Sequence, residues 1–172
     1  VAASRFASGR AGQAQIEIQI EGLFPTLNKW AKADPMFNKE IRAASIELIN
    51  ELVVEVKKAA ATAPNPRQAT EAAKGFRARP DRIPIIRLDA GSNFVSTTRP
   101  NRKRKTKVTR GDVFFGSEFG SKNFKQFPDR SAPFGAGNRG YYFWPTIEDK
   151  AESIRDRYLE ALDRITAKLA RM

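Results

Sequence analysis

Residues 113–147 read VFFGSEFGSKNFKQFPDRSAPFGAGNRGYYFWPTI and hold seven of the twelve phenylalanines, Tyr141, Tyr142 and Trp144. Aromatics and glycines at this density predict neither a long helix nor a plain loop. Phe114 and Phe115 read as the end of a strand, and Gly116 and Gly120 as brackets of a tight turn where a missing side chain permits close approach. Tyr141 to Trp144 reads as a second short strand, closed by Pro145. The expectation is two strand edges joined by an irregular, aromatic and glycine-rich loop over 116–140. Ordering such a loop costs entropy that its apolar side chains must offset, against the domain's own core and against a partner surface. Assembly, more than chemistry, is what this stretch suggests.

Outward from it, the chain reads as α+β. Residues 1–14 are small and polar and read as a flexible N-terminal arm, with 15–172 as one domain. In QIEIQI, Ile16, Ile18 and Ile20 alternate with Glu17 and Gln19, the period-2 pattern of a half-buried antiparallel strand. Asp34 and Pro35 are a helix start signal. Ile41, Ser45, Leu48, Ile49, Leu52, Val53 and Val56 then form a wide apolar stripe that ends in alanines before Pro64. A short helix around Gln68 to Lys74 stops at Gly75. Ile83 to Leu88 reads as a strand, which Pro84 places at a sheet edge or at a strand start. At the C-terminus, Ile147, Ala151, Ile154, Tyr158, Leu162, Ile165 and Leu169 recur at three- and four-residue steps, with Thr146 and Asp149 as an approximate capping box. The predicted architecture is a small, mostly antiparallel sheet of three to five strands covered on one face by two long helices.

Charge bounds the partners. The 172 residues carry 31 Lys and Arg against 19 Asp and Glu, a net charge of +12, which implies an acidic partner. From Arg77 to Arg110 there are eleven basic residues and only Asp81 and Asp89 against them. The densest run is a loop at 99–107, RPNRKRKTK, whose Arg102, Lys103, Arg104, Lys105 and Lys107 are candidate contacts. Clustered cations gain from counterion release along a phosphate backbone, and an acidic protein ring or plain solvent would also suit them. No aromatic lies between Val95 and Val113 to make a stacking platform.

The sequence has no Cys and no His, which removes thiol nucleophiles, histidine acid–base chemistry and the usual zinc ligands. GSEFGS lacks the lysine–hydroxyl pair of a phosphate loop. Glu118 and Asp129 as a hydrolytic carboxylate pair have no supporting cluster. No enzyme activity and no cofactor are expected. Nor does the chain show a signal-peptide core or an apolar run of membrane-spanning length, so a soluble protein is expected.

The aromatics point to a contact surface. Glu118, Phe119, Phe124, Phe127 and Phe134 are the candidate interface, with Arg130 or Arg139 of an adjacent subunit as the expected partner of Glu118.

The order of strand, long helix, basic strand, GDVFFGSEFGS, QFP, GYYFWPTI and a terminal amphipathic helix resembles the tail-completion, or tail-to-head joining, proteins of the neck of long-tailed, siphovirus-like bacteriophages. The residues that carry it are Glu118, Phe119 and Gly120, then Phe143, Pro145 and Ile147, together with the alanine-rich helix and the RIPIIRL stretch. The likeness spans roughly residues 15–168 and does not cover the basic run. It implies a structural virion protein, assembled in the host cytoplasm and placed at the head–tail junction. By that likeness it would form a homo-oligomeric, hexameric ring around the DNA channel. The implied partners are the head connector or adaptor protein and a tail terminator or tail tube protein, with non-specific contact to packaged DNA and none to a membrane. A tail terminator or minor tail protein of related fold, and a non-specific nucleic-acid-binding protein, are the alternatives.

Overall fold

The computed structural model describes residues 2–8, 14–20, 27, 35–91, 93–94, 108–121, 125–127 and 140–171. In chain order the elements are β1 (Ala2–Ser8), β2 (Ala14–Ile20), α1 (Pro35–Ala61), α2 (Pro66–Ala73), β3 (Phe76–Arg79), β4 (Ile85–Leu88), β5 (Asn93–Phe94), β6 (Val108–Thr109), α3 (Arg110–Phe119) and α4 (Phe143–Leu169). The fold is α+β. Four strands form an antiparallel sheet in the order β1-β2-β4-β3, and β5 pairs with β6 in a separate two-stranded ladder.

The two long helices form where the apolar stripes predict them. Ile41, Ser45, Leu48, Ile49, Leu52, Val53 and Val56 of α1 are all buried, as are Ile147, Ile154, Tyr158, Leu162 and Ile165 of α4. Ion pairs Glu40–Lys168 and Glu51–Arg157 run in opposite numerical order along the two helices, so α1 and α4 lie antiparallel. One apolar cluster joins Leu52, Val56, Phe76, Ile86, Leu88, Phe114 and Phe143, and a second joins Phe37, Ile41, Ile83, Ile85, Tyr158 and Leu162. The hydroxyls of Ser45 and Tyr158 both donate to the carbonyl of Arg82, which fastens the β3–β4 connection to the helix pair. This gives the one polar position of the α1 stripe its partner and keeps a buried hydroxyl satisfied.

Three sequence expectations change and one is narrowed. Residues expected as a free arm include β1, which pairs with β2 from Ala2↔Ile20 to Ser8↔Ala14. Backbone pairing along a full strand ties this terminus into the sheet. Of the two places that Pro84 allows, the strand start holds: β4 begins at Ile85 and is central, flanked by β2 and β3, and Pro84 precedes the ladder so no hydrogen bond is lost.

Phe114 and Phe115 are helical. Thr109 Oγ1 accepts from Asp112 N at 3.2 Å and Asp112 Oδ2 accepts from Thr109 N at 2.9 Å, a reciprocal cap that starts α3. Val113, Phe114, Ser117 and Glu118 are then buried at helical spacing. Gly116, expected to bracket a turn, lies inside α3 with the ring of Phe127 against it, and of the two bracketing glycines Gly120, at the C-cap, has the positive φ, 74°. Finally, Tyr141 to Trp144 is no strand: α4 begins at Phe143, one turn before the expected cap. Thr146 Oγ1 instead bonds back to the carbonyl of Tyr142 at 2.6 Å.

Candidate functional site

The junction of α3 and α4 is built around one carboxyl group. Glu118, fully buried in the last turn of α3, accepts through Oε2 from the amides of Tyr142 (3.2 Å) and Phe143 (2.9 Å). Its Oε1 accepts from the amide of Trp144 at 2.9 Å. The first amides of a helix have no partner within it. Here Phe143 and Trp144 bond to Glu118, Pro145 has no N–H, and Thr146 N reaches the carbonyl of Tyr142 at 3.4 Å. Every backbone donor of the first turn is thereby accounted for, with the cap supplied from another helix, and a negative charge at this end also suits the dipole of α4.

Gly140 makes this approach possible. Its φ is +73°, and a Cβ there would collide with the Glu118 carboxyl. Burial pushes the Glu118 pKa up, while the amides of Phe143, Trp144, Tyr142 and Tyr141 pull against the rise. Desolvation thus works against the ionised form, and the amide hydrogen bonds work for it. Next to it, Ser117 Oγ donates to the carbonyl of Phe114 at 3.1 Å and stands 3.3 Å from the hydroxyl of Tyr142, whose own pKa burial drives up.

Rings fill the remaining space. Phe76 and Phe143 stack at 4.7 Å, and Phe114 meets Phe76, Phe143 and Tyr142 edge-on at 5.5, 5.5 and 6.3 Å. Much of the aromatic density of 113–147 is thus spent inside the chain. Phe115 and Phe119 are different. One turn apart on α3, they stack at 6.2 Å with 22° between planes; Phe115 is 46% exposed and Phe119 half-buried.

The expected interface accordingly divides. Glu118 cannot pair with an arginine of a neighbouring subunit, because its oxygens are buried against amides of its own chain. Phe119 is half-buried and stacks on the exposed Phe115, which the sequence reading omitted. Phe127 is half-buried and packs on the core beside Gly116. Phe124, Arg130, Phe134 and Arg139 lie outside the described residues, as do Arg102, Lys103, Arg104, Lys105 and Lys107. The spacing of Phe115 and Phe119, four apart on a capped helix, was the available signal; reading the segment as a strand concealed it.

Elsewhere, an open groove of about 340 Å³ runs between α1 and α4, lined by Ala44, Glu47, Ala161 and Arg164, and rimmed by the Glu40–Lys168 pair. Among the described residues no group of three or more acidic side chains is placed to hold a metal ion, and no helix is long and apolar enough to cross a membrane. No protein-family model, curated protein or solved structure matches the chain.

Proposed function

We propose that the chain is a structural protein of the neck of a long-tailed bacteriophage. In this reading it forms a ring, with hexameric closure, that joins the head connector to the tail tube around the DNA channel. It acts by binding neighbours rather than by catalysis, and its place is the virion. The observation that carries the proposal is the Phe115–Phe119 stack on α3. Glu118, on the same helix, is bonded to the first turn of α4, so the aromatic pair is presented on a helix already held in place. Aromatic side chains concentrate binding energy where an interface excludes water, and a surface ordered in advance loses less entropy on binding. Closing a ring needs a head-to-tail contact, in which this face meets a different face of the next subunit. The resemblance carried by Glu118, Phe119, Gly120, Phe143, Pro145 and Ile147 supports the same reading, now with Glu118 as an internal clamp.

The test combines folding and joining. Phe115→Ala/Phe119→Ala should keep the circular dichroism spectrum of the parent and lose at most a few degrees in Tm, since both rings are partly in solvent. Heads and tails supplied with this variant should remain separate under the electron microscope, whereas the parent chain joins them. Normal joining by a folded double variant would refute the role of this face. Failure of the parent chain to enter any neck ring would refute the function itself; its recovery in the tail terminator or tail tip would favour the related tail proteins.

A further inference from the structure

We infer that Arg77, Arg79 and Arg87, which share one face of β3 and β4, bind the phosphate backbone of nucleic acid. In β3 and β4, Phe76, Ile86 and Leu88 are buried in one apolar cluster, so Arg77 and Arg87 lie on the opposite face, where Ile85, opposite Arg79, is covered by the second cluster while Arg77 and Arg79 stay exposed. The register pairs Arg77 directly with Arg87, and Arg79 follows two residues along β3. Side chains opposite one another on antiparallel strands have Cβ atoms about 5 Å apart, and like charges so placed destabilise a sheet. Among the described residues, neither Arg77 nor Arg87 has a carboxylate in ion-pair contact. Arg77 spends one guanidinium nitrogen on the carbonyls of Lys74 and Phe76, while Arg79 stands 3.8 Å from Asp81. On the neighbouring strand, Arg87 registers with Gln15, and Glu17 registers with Ile85.

Two like charges held in register have a physical rationale if an anion completes them. The surface chemistry favours phosphates over an acidic protein. Protein interfaces need a desolvated apolar centre, and the large exposed apolar side chains among the described residues, Met36, Val54, Phe115 and Leu159, all lie on helices. A phosphate backbone requires only positioned cations, and guanidinium forks match phosphate oxygens well. Because this is a property of the isolated chain, it stands or falls separately from ring assembly.

The test is fluorescence anisotropy of the full chain with a labelled, mixed-sequence DNA duplex across a range of salt concentrations. Arg77→Gln/Arg87→Gln should flatten the dependence of log K on log salt by about 1.8 and weaken binding about tenfold or more near 0.1 M salt. Arg77→Lys/Arg87→Lys should keep the parental salt slope. The Gln pair should also melt no lower than the parent, since a repulsive pair has gone. If that double variant loses its fold, Arg77→Gln alone at the exposed position should flatten the slope by about 0.9. A parent that does not bind duplex, or an unchanged slope in the folded variants, would overturn the inference. So would retention on immobilised polyglutamate that the Gln pair abolishes while DNA binding stays parental, because that result assigns the face to an acidic protein.

Discussion

Glu118 and Glu51 are both carboxyl groups that tie α4 to another helix, yet they work under opposite conditions. Glu51 lies on the surface of α1 and meets the Arg157 guanidinium through two hydrogen bonds, one of 3.0 Å. Both side chains are about half exposed, so water and salt compete with the pair. Among the described residues Glu118 meets no cation. It is fully buried and meets three main-chain amides that would otherwise have no acceptor. The surface pair has the full charge on both sides and little consequence. The buried group has only backbone dipoles opposite it, and the start of a 27-residue helix depends on it. Burial and the absence of a substitute partner, rather than formal charge, decide which contact matters.

The contrast breaks most visibly at Glu118. Glu118→Ala should lower stability by about 3 kcal/mol or more, because several buried donors lose their acceptor together. Denaturant unfolding followed by circular dichroism measures it, and a loss below about 1 kcal/mol would mean that water or local rearrangement replaces the cap. Somewhat smaller is the effect at Gly140. Gly140→Ala should cost about 2 kcal/mol, from the left-handed backbone and from the displaced carboxyl. A variant as stable as the parent would show that the carboxyl has room to withdraw without losing its amides.

The smallest effect belongs to Glu51, and it sharpens the comparison through pH. Glu51→Gln should change stability by less than about 1 kcal/mol near neutrality. The Arg157 hydrogen bond lowers the Glu51 pKa from 4.5, so its contribution is present above pH 4.5 and fades as pH falls through the lower folded value. For Glu118, whose folded pKa is raised from 4.5 by burial, the sign reverses. Its titration-linked contribution is full below pH 4.5 and is lost as pH rises through the raised value. Plots of stability difference against pH, parent minus Gln variant, should therefore slope upward for Glu51 and downward for Glu118. Parallel slopes would contradict the burial account of Glu118.

How the sequence reading succeeded and failed follows from the range of the interactions involved. The α1 and α4 stripes were legible because a helix repeats every 3.6 residues and each apolar position testifies to the same face. The Ile16–Ile18–Ile20 alternation was legible as a strand for the corresponding reason at period 2. The start of α3 was legible too: Thr109 and Asp112 stand three apart, as a capping box requires, but the adjacent aromatic pair drew the segment toward a strand. The start of α4 was not legible. Its cap comes from Glu118, 24 to 26 residues earlier, and local sequence points instead to Thr146. The same distance hid the fate of Glu118, which stands between glycines and reads as an exposed turn residue.

By itself, then, the amino-acid order determined the α+β class, both long helices, the short helix before Gly75, the strand after Pro84 and the excess of positive charge. These depend on local periodicity, local breakers and composition. Tertiary structure alone decided that the terminal segment adds a strand beside β2, that β4 is central, and that Arg77 faces Arg87. It also decided that Phe114 and Phe143 turn inward while Phe115 stays exposed beside a half-buried Phe119. Those outcomes depend on which distant segments meet, because strand register and the burial of a ring or carboxyl are set by partners that local sequence does not name.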